Sequence, residues 1–74
     1  MQTGIYQHYK GKLYLVIGTA NHSETQERLV VYIPLYEHRG EPMAARPYEM
    51  FNEEVEIDGV RVLRFKFIGE TFIQ

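Results

Sequence analysis

The four residues His22-Ser23-Glu24-Thr25, lying between two hydrophobic runs, are the densest group of chemically capable side chains in the sequence. A serine becomes a nucleophile when a base lies within hydrogen-bond reach, and His22 is the immediate neighbour of Ser23. On extended chain adjacent side chains point to opposite faces, and no third group is identifiable that would orient the imidazole, so a catalytic dyad is not the expected reading. His22 and Glu24 are two apart and share a face on extended chain, which makes them the acid–base pair of an alternative reading, a small enzyme acting on an anionic metabolite. The same two residues, with His8 and His38, raise the question of a metal. No His-x-His or His-Glu-x-x-His spacing is present, so neither a metal nor a cofactor is expected. A structural role has a mechanism of its own. Ser23-x-x-Gln26 has the form of a capping box, with Ser23 accepting from the Gln26 N–H and Gln26 reaching back, and Asn21 and Thr25 suit turns.

The acidic run from Glu53 to Asp58 reads as a solvated face beside a turn, because catalytic carboxylates need burial or each other to push their pKa values apart. The six tyrosines carry more weight: each joins a large apolar ring to a polar end, which suits core packing and a shallow binding groove alike. The remaining polar candidates are His8, Tyr9 and Lys10 early in the chain and Arg46 after a loop. Arg46 is best suited to grip a carboxylate or phosphate, because its planar fork binds such groups bidentately. The expectation is one pocket at one end of the fold, formed by His8, Tyr9, Lys10, His22, Ser23, Glu24, Thr25 and Arg46. Its occupant would be a peptide or a small anionic ligand, which makes the chain a non-enzymatic binding module rather than an enzyme.

Elements must position these residues, and the size of the chain bounds what they can be. Residues 1–74 form one domain, which at this length buries only about 60% of its unfolded surface. Cysteine is absent, so no disulfide or thiolate metal site assists, and a reducing compartment is expected. The N-terminal residues lack a signal-type apolar region and no run approaches the ~18 residues of a membrane span, so a soluble cytoplasmic protein, monomeric or weakly dimeric, is expected. The net charge of −2 does not favour nucleic acid. The charge is unevenly spread: residues 1–22 hold Lys10 and Lys12 without an acid, whereas residues 49–58 hold five acids without a base.

Short apolar blocks rather than a 3.6-residue stripe predict a mainly all-β fold. A first hairpin turns through Lys10-Gly11-Lys12 into a strand with Leu13, Leu15 and Ile17 on one face. The run Arg28–Tyr36 reads as a central strand, with Val30, Tyr32 and Tyr36 opposite Leu29, Val31, Ile33 and Leu35, fading at Pro34. Residues 37–47, punctuated by Gly40, Pro42 and Pro47, read as an irregular loop. Tyr48, Met50 and Phe51 read as one helical turn closing a barrel end. Asp58-Gly59 suits a type I′ hairpin, pairing Ile57 with Val60, Glu56 with Arg61 and Val55 with Val62. A last strand through residues 60–69 buries Leu63, Phe65 and Phe67 against solvated Arg64 and Lys66. Five strands joined this tightly predict a small closed or half-closed SH3-like barrel with one short helical turn.

Gly4, Tyr6, His8, Tyr9, Lys10 and Gly11, then Tyr14, Val16, Ala20, His22 to Thr25, Glu27 and Val30 to Tyr32, and later Arg46-Pro47, Met50-Phe51, Glu53, Val55 and Arg64-Phe65, form a pattern over nearly the whole chain. In this pattern the sequence resembles the bacterial domain-of-unknown-function family 1653. Ala44 stands where that family usually carries an aromatic residue, two positions before the Arg-Pro pair. The resemblance implies a compact SH3-like barrel and brings no established activity.

Overall fold

The computed structural model describes residues 1–70, which are mainly β. In chain order they form β1 (Gly4–His8), β2 (Leu13–Asn21), β3 (Arg28–Pro34), β4 (Ala44–Pro47), the helical turn α1 (Tyr48–Phe51), β5 (Glu54–Ile57), β6 (Val60–Leu63) and β7 (Phe65–Gly69). Five strands make one antiparallel sheet in the order β4-β3-β2-β1-β7, and β5 and β6 make a separate hairpin. Two differences from the expected architecture follow. The strands number seven among the described residues rather than five, and the large sheet has free edges at β4 and β7 rather than a closed ladder.

Each element has a local cause. The first hairpin pairs Tyr6 with Tyr14 and Gln7 with Leu13, and Gly11, at φ 109°, supplies the left-handed turn residue that donates to the His8 carbonyl at 2.7 Å. In β2 the buried side chain is Val16, 1% exposed, with Tyr14 packed beside it. Leu13 and Leu15 lie half-buried on the other face and Ile17 falls in a bulge between Val16 and Gly18, 45% exposed. Strand β3 is interior, between β4 and β2, and buries Val30 and Tyr32. Pro34 lies beyond the last residue that β4 pairs, so its missing N–H breaks no ladder.

The segment read as irregular contains a strand at its end. β4 pairs Val30 with Arg46 and Leu29 with Pro47, and an edge position is where a strand tolerates proline. The pairing with Val30 places Arg46 on the core face. α1 follows at once and drives Phe51 to complete burial, while Met50 remains 46% exposed. Asp58, at φ 51°, and Gly59, at φ 80°, form the two-residue turn, and the register of β5 with β6 is the expected one at all three pairs. Arg61 makes its ion pair with Glu54, diagonally, rather than with Glu56 opposite, at 2.9 Å.

The final stretch is two strands. At Arg64 the chain leaves β5 and joins β1, and both sides of the break are bonded: the Arg64 N–H donates to the Glu53 carbonyl at 3.0 Å, and the Tyr9 N–H donates to the Arg64 carbonyl at 2.9 Å. Leu63 is thereby left 46% exposed, while Phe65 is buried. One core results, formed by Tyr6, Val16, Val30, Tyr32, Phe51 and Phe65. Phe51 and Phe65 stack at 4.1 Å with an interplanar angle of 2°, and Tyr6 meets Phe51 and Phe67 edge-on. No helix among the described residues is long and apolar enough to cross a membrane.

Candidate functional site

Strand β2 decides which of the candidate residues can meet. The turn Tyr9–Lys12 precedes it and the loop His22–Glu27 follows it, so nine extended residues at about 3.3 Å each place the two turns roughly 25 Å apart. The single pocket expected from the sequence is therefore two places. His22, Ser23, Glu24 and Thr25 lie at one end of β2, and His8, Tyr9 and Lys10 lie at the other.

The loop at the first of these ends is held by its own hydrogen bonds. The His22 ring is turned into the bend, where Nδ1 accepts from the Glu24 N–H at 3.2 Å and the Thr25 N–H at 3.3 Å. Thr25 Oγ1 accepts from the Glu27 N–H, the Gln26 N–H donates to the His22 carbonyl, and the His22 N–H donates to the Glu27 carbonyl at 2.7 Å. The capping-box reading needs correction: Gln26 does reach back to Ser23, but its Nε2 donates to the Ser23 carbonyl, and the bend is capped by the His22 imidazole. Gln26 sits at φ 64°, a left-handed position that this network holds in place. Ser23 and His22 make no hydrogen bond to each other, and an acid–base role for His22 would have to run through Nε2, since Nδ1 is engaged.

The other end carries a different arrangement. Phe65, on β7, forms a floor that is met by the His8 ring at 4.9 Å, Tyr14 at 5.4 Å and Tyr32 at 6.0 Å between centroids. The Arg46 guanidinium lies 5.5 Å from the centre of the same ring, and its Nε donates to the Tyr32 hydroxyl at 3.4 Å. The Tyr14 and Tyr36 hydroxyls are bonded at 2.9 Å, and the Lys12 ammonium stands 4.5 Å over the Tyr36 ring. Arg46 has no carboxylate within ion-pairing distance among the described residues, where Arg61 and Arg64 each have one. A half-buried guanidinium, three tyrosines and an imidazole thus share one face.

The protonation states follow from the surroundings. His8 Nδ1 accepts from the Lys10 N–H at 3.1 Å, which leaves the proton of the neutral ring on Nε2. Burial, then the charges of Arg64, Arg46 and Lys10, hold the His8 pKa below the ordinary histidine value. Burial, the bond to Tyr36 and the neighbouring tyrosines hold Tyr14 well above the ordinary phenol range, with Arg46 opposing, so its hydroxyl acts as a neutral donor and acceptor. His38 is shifted the other way, because its ring nitrogens face the Glu41 and Tyr36 carbonyls. Proton NMR of the imidazole rings is expected to give a lower midpoint for His8 than for His38. The reverse order would mean that His8 is neither buried nor set among these cations as the geometry has it.

Among the described residues no group of three His, Cys, Asp or Glu side chains is placed to hold a metal ion. The face instead offers cation, ring and hydroxyl, the chemistry of anion recognition. Of the expected residues it unites His8 with Arg46, with Lys10 beside them as one of the charges felt by His8. It adds Lys12, Tyr14, Tyr32, Tyr36 and Phe65, for which the sequence signal is the abundance of tyrosine and the shared parity of Tyr32 and Tyr36 in the run Arg28–Tyr36.

The family described as "Protein of unknown function (DUF1653)" matches residues 4–67. The fold is similar to the crystal structure of a DUF1653 protein from Bordetella bronchiseptica, at 38% sequence identity and a TM-score of 0.91, covering 100% of this chain and 95% of that one. Among curated proteins, none matches.

Proposed function

Since the chain belongs to the DUF1653 family, which is described only as of unknown function, we propose its function from its geometry: a non-enzymatic binding module that grips an anionic group on the face shared by Arg46 and the first hairpin. The five-stranded sheet, with α1 packed against β3 and β4, is read as a half-open SH3-like barrel whose open side carries this face. The ligand is a small carboxylate or phosphate, or such a group on an extended peptide. The absence of cysteine supports a cytoplasmic setting. One observation carries the reading: Arg46 is half-buried over an aromatic floor with no acid beside it among the described residues, so its two outer nitrogens are left to a partner from solution. The His22–Thr25 loop then fixes the register of β2 on β3 and lies outside the binding face.

NMR titration with separate mixtures of small carboxylates, phosphate esters, peptides and RNA tests this. Saturable shifts at Arg46, Tyr32, Tyr36 and His8 are expected with the anionic mixtures. Arg46→Gln is expected to weaken that binding by about tenfold or more, the value of hydrogen bonds made to a charged group. Shifts produced only by RNA and confined to Tyr6, Tyr9 and Lys10 would sink the reading.

A further inference from the structure

We infer that the cleft between the first hairpin turn and β6 is a second binding site, adjoining the Arg46 face and sharing only His8 with it, for a flat aromatic ring bearing one anionic group. The cleft has a volume of about 480 Å³ and is lined by Gln7, His8, Tyr9, Gly11, Val62, Leu63 and Lys66. Its size lies within the ordinary range of small-ligand pockets, about 300–1,000 Å³.

The walls explain the ligand class. On one side stands Tyr9, its ring 4.5 Å from that of His8 and tilted by 31°, with the Lys10 ammonium 5.8 Å from its centre. On the other side stand Val62 and Leu63, and Leu63 is 46% exposed although it is fully apolar. An aromatic wall facing an aliphatic one suits a flat apolar ring. The lining contains one ammonium, that of Lys66, and no carboxylate, and Lys66 makes no ion pair among the described residues. A ring that fills the cleft thus meets positive charge at its edge, which selects an anionic substituent.

The cleft is preformed rather than a gap between loose segments. Its two walls are tied to one another through Arg64, whose carbonyl accepts from the Tyr9 N–H and whose N–H donates to the Glu53 carbonyl. The Arg64 guanidinium is bonded in turn to Glu53 Oε1, by Nη2 at 2.7 Å and by Nε at 3.1 Å. Gln7 Nε2 donates to the Gly11 carbonyl at 3.1 Å and braces the turn from beneath. A ligand entering here would not have to order the walls first.

Two sources supply such a ring, an aryl carboxylate and a nucleotide, and titration separates them. NMR-monitored titrations with 2-naphthoate, adenosine monophosphate and the uncharged 2-naphthamide are the arms. One of the two anions is expected to shift Gln7, Tyr9, Gly11, Leu63 and Lys66 to saturation, with the amide several times weaker. Lys66→Gln is expected to weaken binding by about fivefold, the upper end for an exposed charge pair. Leu63→Asn, an uncharged change at a position that is 46% exposed and pairs with Glu54, is expected to weaken it severalfold. The inference is overturned if neither anion gives saturable shifts, if the amide binds as tightly as the anion, or if Lys66→Gln changes nothing. Shifts centred on Arg46, Tyr32 and Tyr36 would overturn it while supporting the other face.

Discussion

Replacing Phe65 by alanine is expected to cost about 3–5 kcal/mol of folding stability, the range for deleting a buried phenylalanine ring. The ring is 4% exposed and stacks on fully buried Phe51, so its loss opens a cavity that α1 cannot fill without leaving β3 and β4. It is also the surface on which His8, Tyr14, Tyr32 and Arg46 converge. A chain of 74 residues has roughly 4–11 kcal/mol in all, at about 0.05–0.15 kcal/mol per residue. The variant should therefore lose from about a quarter to all of that stability. Urea denaturation followed by tyrosine fluorescence measures the loss, and Phe65→Leu, which keeps an apolar side chain, should retain the fold with a smaller loss. A cost under about 1 kcal/mol for the alanine variant, no more than a surface substitution, would show that Phe65 is not the hub of one core.

That hub explains which parts of the structure could be read from the sequence. The Asp58-Gly59 hairpin was legible because its register is set by two adjacent residues whose left-handed backbone fixes every pair that follows. The break at Arg64 was not, because the alternation of Leu63, Phe65 and Phe67 continues through it unchanged. Period 2 records which side a residue faces and is silent about which strand lies beside it. β4 was hidden for a related reason: an edge strand needs only one row of bonds, so Pro47 does not forbid it. The binding face was half legible. Arg46 and His8 stand out by type, but only the pairing of β3 with β4 and of β1 with β7 carries them to the same floor, while β2 carries His22 away. The pattern His-Ser-Glu-Thr looks like a site because a capping imidazole and a catalytic one are the same residue in sequence, and only the two N–H groups on Nδ1 tell them apart.

Gly4→Ala is expected to be as harmful as many core truncations, although it adds a single carbon. Gly4 is buried at φ 135°, a backbone conformation that residues with a Cβ rarely adopt. An added Cβ would lie 2.5 Å from the Gly69 carbonyl oxygen, and 3.0 Å from both the Glu70 Cα and the Phe67 ring. Two of these neighbours are backbone and cannot rotate aside, so β1 and β7 would have to part where their register already shifts, between Ile5 and Tyr6. Backbone strain and overpacking together come to roughly 2–4 kcal/mol. Gly59→Ala is the matched control. It too has a positive φ, at 80°, but nothing lies within 4 Å of the added carbon, so only the backbone cost of about 1 kcal/mol remains. Thermal unfolding of the two variants separates strain from collision. Equal losses would mean that the close approach of β1 to β7 is soft, and that the first glycine is held by backbone conformation alone. The expected difference of at least about 1 kcal/mol makes Gly4 the point where β7 seals against β1, which in turn seats Phe65 beneath His8 and Arg46.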